Sequence, residues 1–321
     1  MERKGDCMKP SVSVIIPVFN REAFVERTLT SVFQQDYRPV ELVVVDNSST
    51  DRSLECCRCF AASHEDKDFI VKIAIERKKG ASAARNKGVE IATAPFIAFF
   101  DSDDLMSSGY LSSMMEAFAA SPQTELAVAR TRMMCADGSS FVRAAWKDAS
   151  PAHHILTGMV NTQSWVARRS FFLQTGWWDE GLSTWDDYEL GLRLLLQAKC
   201  VGWTDQVFHQ ILLHEESQTG ASFSATLGGC LTALTKMNAV VEDIRDAALR
   251  QDCRNALYVR ARTLIGWLRH EHDEQGRQQV KTWIGTLKPD ARTRRVAGFI
   301  EWFTAKGFRG GWRIARKLCI R

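Results

Sequence analysis

A chain of 321 residues, 45% of them apolar, is long enough for one large domain plus a smaller one, and its composition is that of an ordinary globular protein. A formal net charge of +4 is too small to imply a nucleic-acid partner, and every apolar run is too short to span a bilayer. The first ten residues are polar and unlike a signal peptide, so the nine scattered cysteines are expected to be reduced thiols of a cytoplasmic protein.

The first expected strand is Val12 to Val18, nearly continuous in apolar content, as a strand buried on both faces should be. Pro17 near its end suits a terminus, where no ladder donor is needed. Asn20 is expected to cap a helix from about Arg21 to Gln34. Leu42 to Val45 form a second strand, and Asp46-Asn47-Ser48-Ser49-Thr50-Asp51 lead into a helix bearing Leu54 and Phe60. Cys56 and Cys59 have C-x-x-C spacing on that helix, but no second Cys or His pair lies nearby, so they read as small helical residues rather than a zinc site. Phe69 to Ile75 is a third strand, a helix starts in Gly80 to Gly88, and Ala94 to Phe100 is a fourth strand. Strand alternating with helix predicts right-handed crossovers and a parallel sheet.

After a helix over Tyr110 to Ala120 the pattern loosens. Ala127 to Met134 and Phe141 to Val142 flank Asp137-Gly138, a hairpin signal. Ser150 to Thr162 is polar and reads as a loop, with His153 and His154 as surface histidines or as a border of an acceptor site. Ser164 to Ala167 is a short strand. Trp185-Asp186-Asp187-Tyr188-Glu189-Leu190 opens a helix, and Val201 to Leu213 is extended and ends at His214. From about Ser222 the chain is helical in pattern. No internal repeat or low-complexity segment is present.

The fourth strand stops in Asp101-Ser102-Asp103-Asp104, three carboxylates in four residues. Ligands of parallel sheets sit at the carboxyl ends of the strands. A carboxylate cluster there suits a hard divalent cation shared with substrate phosphates. The competing reading is a polar turn capping the helix from Ser107 onward.

The ordered motifs VSVIIPVFN, VVVDNSSTD, GASAARNKG, FFDSDDL, GWWDEGL, WDDYEL and a late LLHEESQTG resemble the inverting family 2 glycosyltransferases of the GT-A fold, over roughly Ser11 to Gly220. The chain departs from the common form at Asn47, where a second Asp is frequent, at Trp177-Trp178, and at Asp186, where Glu is usual. The resemblance implies a Rossmann-like, mostly parallel α/β sheet flanked by helices over residues 1–220. A helical C-terminal region over 221–321 would serve acceptor, oligomer or membrane-surface contacts.

What the resemblance implies for chemistry is transfer of a sugar, with metal help, from a nucleotide sugar, a UDP-sugar by expectation, to an acceptor hydroxyl. Asp103 binds Mn²⁺ or Mg²⁺, Asp101 lies near ribose and metal, and His214 contacts metal or diphosphate. Asp46 accepts from the uracil N–H, Pro17, Asn20 and Ser102 line the nucleotide, and Arg85 reaches base or phosphates, its alternative being a solvated helix charge. Asp104 is expected as a helix cap. Asp187 is the general base, with Asp186 orienting the site. Among Trp165, Trp177, Trp178 and Trp185, aromatic faces suit sugar stacking, core packing being the commoner use.

Two other classes compete. A nucleotide-sugar-binding protein without turnover fits the same motifs, except that Asp103 and Asp187 are retained. A nicotinamide-dependent dehydrogenase is disfavoured, because the first turn reads PVFNREAF with no G-x-G-x-x-G. The expected acceptor is a saccharide or lipid-linked saccharide. From Lys288 to Arg321, ten Lys/Arg stand against Asp290 and Glu301, interleaved with large aromatics. Gly310-Gly311 divides the tail into two short helices. Such a tail suits peripheral contact with an anionic membrane at its inner face, or packing on the catalytic domain or a second subunit as a homodimer.

Overall fold

Seven-residue stretches with no polar face cannot lie at a surface, and Val12–Val18 (β1) and Val40–Asp46 (β2) are buried along their whole length. The computed structural model describes residues 11–134, 138–143, 145, 147, 149–212 and 222–320. Helix α1 (Val25–Phe33) joins β1 to β2, and α2 (Ser53–His64) joins β2 to β3 (Phe69–Ile75). Then follow α3 (Ala81–Ile91), β4 (Phe96–Phe99), α4 (Tyr110–Ala120), β5 (Leu126–Met134), β6 (Ser140–Val142) and α5 (Pro151–Thr157). Next come β7 (Trp165–Arg168), α6 (Arg169–Thr175), α7 (Asp186–Gln197) and β8 (Val201–Leu212). The chain continues as helices α8 (Phe223–Glu242), α9 (Ala247–His270), α10 (Glu274–Ile284), α11 (Ala291–Ala305) and α12 (Trp312–Leu318).

The described residues within Met1–Arg132, Thr162–Glu180 and Ala198–Ile211 form one compact unit. Its strands run β3-β2-β1-β4-β7-β5, and β8 also pairs with β5. The β3, β2, β1 and β4 neighbours are parallel, whereas β7 runs antiparallel to β4 and to β5. The sheet is therefore mostly parallel on one side and mixed on the other. Val18, Asp46 and Ile75 share one register row, so β1, β2 and β3 end on a common line. Strand β4 ends at Phe99, opposite Ile15, three residues before β1 does. Helix α3 lies directly on β1 at Gly88, where an added Cβ would stand 2.3 Å from Ile15 Cγ2.

A second compact unit gathers the described residues within Met133–Asn161, Gly181–Gln197 and Leu212–Arg321. The boundary expected near residue 220 is thus not a single cut in sequence, since α5 and α7 group with the C-terminal helices. Ala152, Ile155, Tyr188 and Leu192 share a core with Leu234, Leu257, Leu264, Ile300 and Ala315. Ala297, Ile300, Ala315, Cys319 and Ile320 of the tail are all in that core, so the basic C-terminus is anchored in the unit.

Three local expectations are corrected. The first helix begins at Val25, and Asn20, with φ 51°, stands outside it. The segment read as a loop contains α5, capped by a reciprocal box in which the Ser150 side chain meets the His153 N–H and the His153 ring accepts from the Ser150 N–H. Pro151 occupies the first turn, where its missing N–H costs nothing. His154 is fully buried and so is no surface histidine. Its Nε2 lies 2.9 Å from the Tyr188 carbonyl and its Nδ1 accepts from Val160 N–H at 3.3 Å, which fixes the neutral tautomer. The Asp137 half of the hairpin signal lies outside the described residues.

Burial pushes His154 down to about 4, and burial plus the Arg316 charge pushes His153 down to about 4. Below the ordinary histidine pKa the unfolded chain takes up protons that the folded chain refuses. Stability is therefore whole above about pH 6.5 and is lost as pH falls towards 4. The thermal midpoint should drop across that window. His154→Gln should have a lower midpoint at neutral pH and a shallower acid slope. An unchanged slope would mean that this ring does not set the acid sensitivity.

Candidate functional site at the carboxyl edge of the sheet

Asp46 closes β2 on the common edge and is 2% exposed. Its Oδ2 accepts from Ser49 N–H at 3.0 Å, and its Oδ1 is buried with no hydrogen-bond partner. A buried carboxylate oxygen without a donor is costly unless something supplies one. It is not used as a helix cap: α2 starts after Arg52 without a side-chain cap, and Asp51 takes the Ser53 and Glu22 N–H groups. Asn20 spans the gap between the first two strand ends, its N–H donating to Ser49 Oγ at 3.0 Å and its Oδ1 accepting from Thr50 N–H at 2.8 Å. The αL conformation of Asn20 turns the chain for this, a role open to Asn at low cost. Pro17 pairs with Val45 one row earlier.

Asn47 shows why an amide replaces the second carboxylate here. Its Nδ2 donates to the Glu76 and Lys78 carbonyls at 3.0 and 2.8 Å, and its Oδ1 accepts from Gly80 N–H at 2.8 Å. The side chain thus pins the loop from β3 to α3. A carboxylate could accept from Gly80 but would face two carbonyls with no proton to give. Asn47→Asp should destabilise the chain by about 1–3 kcal/mol, the usual cost of unsatisfied buried groups. A denaturant titration with an unchanged midpoint would refute this.

Beyond β4, residues 100–104 continue beside β1 and the start of α1. Phe100 N–H donates to the Ile15 carbonyl at 3.0 Å, and Thr28 Oγ1 donates to the Ser102 and Asp104 carbonyls at 3.0 and 2.8 Å. None of the carboxylates caps the next helix, which starts at Tyr110 behind Gly109 with no side-chain cap. The expectation for Asp104 is therefore corrected: buried, it accepts from Gln163 Nε2 at 2.6 Å. The same Nε2 donates to Asp101 Oδ2 at 3.0 Å, and Arg85 Nη2 donates to Asp101 Oδ1 at 2.9 Å. Asp103 Oδ2 meets Arg21 Nε at 3.2 Å, and Arg27 donates to its backbone carbonyl.

Arg85 is not a solvated helix charge. Its side chain is 7% exposed and its guanidinium lies 4.4 Å from the Trp178 ring centre. Trp178 is held in turn by Asn86, which donates to its carbonyl at 2.9 Å and accepts from its N–H at 3.0 Å. Asn86 Nδ2 also donates to Glu180, which pairs with Lys78. The motifs AARNKG and GWWDEG are one bonded assembly, with Trp178 used for packing and Trp177 partly exposed. Trp165 is core, against Phe99 and Phe172.

His209 in β8 steadies the loop from the other side. Ser107 N–H donates to its Nδ1 at 3.2 Å and its own N–H donates to Ser107 Oγ at 2.7 Å. Burial pushes its pKa down to about 3, so the ring stays neutral. Gln163, Arg21 and His209 were absent from the sequence-derived set. His214 lies outside the described residues.

The donor chemistry suits Mg²⁺ or Mn²⁺: Asp101 and Asp103 offer hard oxygens and are partly exposed, at 34% and 23% of their side-chain surface. Among the described residues no three His, Cys, Asp or Glu side chains form a cation cage. A cation held here has to complete its shell with phosphate, water or residues outside the described set.

Asp186 and Asp187 belong to the second unit, in the first turn of α7. Glu189, in the same turn, is buried and bound by Arg193 through two 2.7 Å hydrogen bonds. Asp186 and Asp187 are half-buried. The residue before them, Trp185, has φ 57°, a conformation that costs a bulky side chain about 1–3 kcal/mol. Stacking on Tyr188, an Arg260 guanidinium 4.5 Å from its ring centre, and Phe223 hold it there. The strained residue stands directly before the two carboxylates of the first turn of α7.

Residues 13–152 match the family described as Glycosyl transferase family 2. Among curated proteins, the GalNAc(5)-diNAcBac-PP-undecaprenol beta-1,3-glucosyltransferase of Campylobacter jejuni is 31% identical over 109 residues, 33% of this chain and 34% of that protein. The chain spans less than half the length of the curated relatives it matches. Among solved structures, S. aureus TarS 1-349 in complex with UDP matches with a TM-score of 0.65 at 16% identity, covering 93% of this chain and 92% of that one. The mannosyltransferase PcManGT from Pyrobaculum calidifontis, in complex with GDP-Man and Mn2+, matches with a TM-score of 0.56 at 16% identity, covering 97% and 88%. At these identities the likeness is one of fold.

Proposed function

We propose, for a chain that belongs to glycosyltransferase family 2 and has the GT-A fold, an inverting transfer of a sugar from a UDP-sugar to an acceptor hydroxyl. The observation that carries the nucleotide half is the buried, unpartnered Asp46 Oδ1 at the edge of the sheet. A uracil imide N–H is the kind of donor it lacks. Asn20, Pro17 and Ser102 line the same edge, and Arg85 beside Asp101 adds positive charge for a diphosphate.

Asp103 and Asp101 would hold Mn²⁺ or Mg²⁺, which would supply Lewis-acid neutralisation of the leaving diphosphate; a solved neighbour of this fold is in complex with Mn2+. Asp187 takes the proton of the acceptor hydroxyl. The acceptor oxygen bonds to the anomeric carbon as the bond to phosphate breaks. The electron pair leaves with the nucleoside diphosphate, and the anomeric centre inverts. Asp186 orients the acceptor. The relative named for a PP-undecaprenol acceptor supports a lipid-linked saccharide over a free one. In this reading the transfer takes place on the cytoplasmic side and involves no nucleic-acid partner. No described helix is long and apolar enough to cross a membrane.

Thermal shift against a panel of nucleotide sugars, with and without Mn²⁺, tests the reading, because a ligand of the native state raises its stability. UDP-sugars should raise the midpoint, more so with Mn²⁺. Stabilisation by GDP-sugars alone would move the base assignment, and none by any nucleotide sugar would overturn it. Binding without UDP release in the presence of acceptors would favour a binding protein without turnover.

A further inference from the structure

Helix α11 buries Thr293, Ala297, Ile300 and Thr304, a 3.6-residue stripe facing the helical core. The opposite stripe carries Arg292, Arg295, Phe299, Trp302 and Lys306, all exposed. Phe299 and Trp302 are 50% and 52% exposed, and Phe308, just past the helix, is 54% exposed. These are not scattered residues. Phe299 lies 5.8 Å from Trp302 and 6.2 Å from Phe303, centre to centre, and Phe303 stacks on Phe308 at 4.9 Å. A contiguous aromatic array in water marks a contact surface.

The charges around it select the partner. Arg292 and Arg295 lie at one end of the stripe, and Lys306 and the exposed Arg309 at the other. The one acid within α11, Glu301, turns inward to Arg262 at 2.6 Å, and Asp290 is occupied as the helix cap. The face is therefore apolar at its centre and cationic at both ends. A second copy on a twofold axis would bring like charges together. Lipid phosphates meet the cations while the aromatic rings enter the acyl boundary.

We propose that the outer face of α11, with Phe308, docks this chain on an anionic membrane surface. The inference stands apart from the transfer reaction, since vesicle binding is read with no sugar donor present. Deletion of the tail cannot serve as the test, because Ala297, Ile300 and Ala315 belong to the core. The intact chain should instead be sedimented with phosphatidylglycerol/phosphatidylcholine vesicles and with pure phosphatidylcholine vesicles. It should partition onto the anionic vesicles and weaken with salt. Phe299→Ser with Trp302→Ser should lower partitioning at least tenfold at an unchanged melting profile. Arg292→Glu with Arg295→Glu, on the exposed end, gives the same readout should the first pair disturb folding. No partitioning at low salt, equal binding to neutral vesicles, or partitioning indifferent to both pairs overturns the proposal. So does a concentration-dependent dimer that the aromatic pair dissolves while vesicles are ignored.

Discussion

Asp187→Asn should lower turnover by about 10²–10⁴-fold, the usual contribution of a general base, and leave UDP-sugar affinity near that of the parent chain. The substitution keeps shape and removes only the proton acceptor. Its fold cost should be small, since Asp187 is half-buried at a helix N-terminus and an amide oxygen still suits that position. Glu189 cannot stand in for it, being buried and doubly bonded to Arg193. Asp186→Asn, made in parallel, should cost less turnover and raise KM for the acceptor. Near-normal transfer by Asp187→Asn would move the base to Asp186 or elsewhere. Loss of UDP-sugar binding would mean that α7 is disturbed rather than a proton acceptor lost.

The parts legible in the sequence are those written in local pattern. Val12 to Val18 and Leu42 to Val45 are apolar at nearly every inward and outward position, which only a doubly covered strand tolerates, and both lie buried in the sheet. Asp46 and Asp101 stand where such runs end, so their place on the edge follows from the strands. What escaped was set by long-range placement. Gln163 sits in a polar stretch with no period. It reaches Asp101 and Asp104 because β7, just after it, pairs antiparallel to β4. Arg21 is an ordinary cation in a loop until residues 100–104 fold back beside α1. The cap of α5 was legible in Ser150-Pro151 but has His153 where Glu or Gln makes the usual box. The inward and outward stripes of α11 follow the helical period, so the exposed aromatics could be placed from spacing. That they remain uncovered needed the packing of α11 on the core.

Asp103→Asn should reduce Mn²⁺-dependent UDP affinity and turnover on the order of 10–100-fold or more, the scale reached even by partners that only support a metal ligand. An amide keeps one neutral oxygen and loses the charge that a hard cation prefers. The fold should hold, because the Asp103 side chain is partly exposed and its backbone carbonyl still accepts from Arg27. Arg21 separates two explanations. If Asp103 served only as a counter-charge to Arg21, then Arg21→Gln alone should reproduce the defect. As a metal ligand, Asp103 should matter to the Mn²⁺ response while Arg21→Gln retains it. Calorimetry of UDP with Mn²⁺ and with excess chelator reads both variants. Full activity of the parent chain in chelator would mean that these carboxylates hold the loop by bonding Arg21, Arg85 and Gln163, and that the transfer proceeds on protein charge alone.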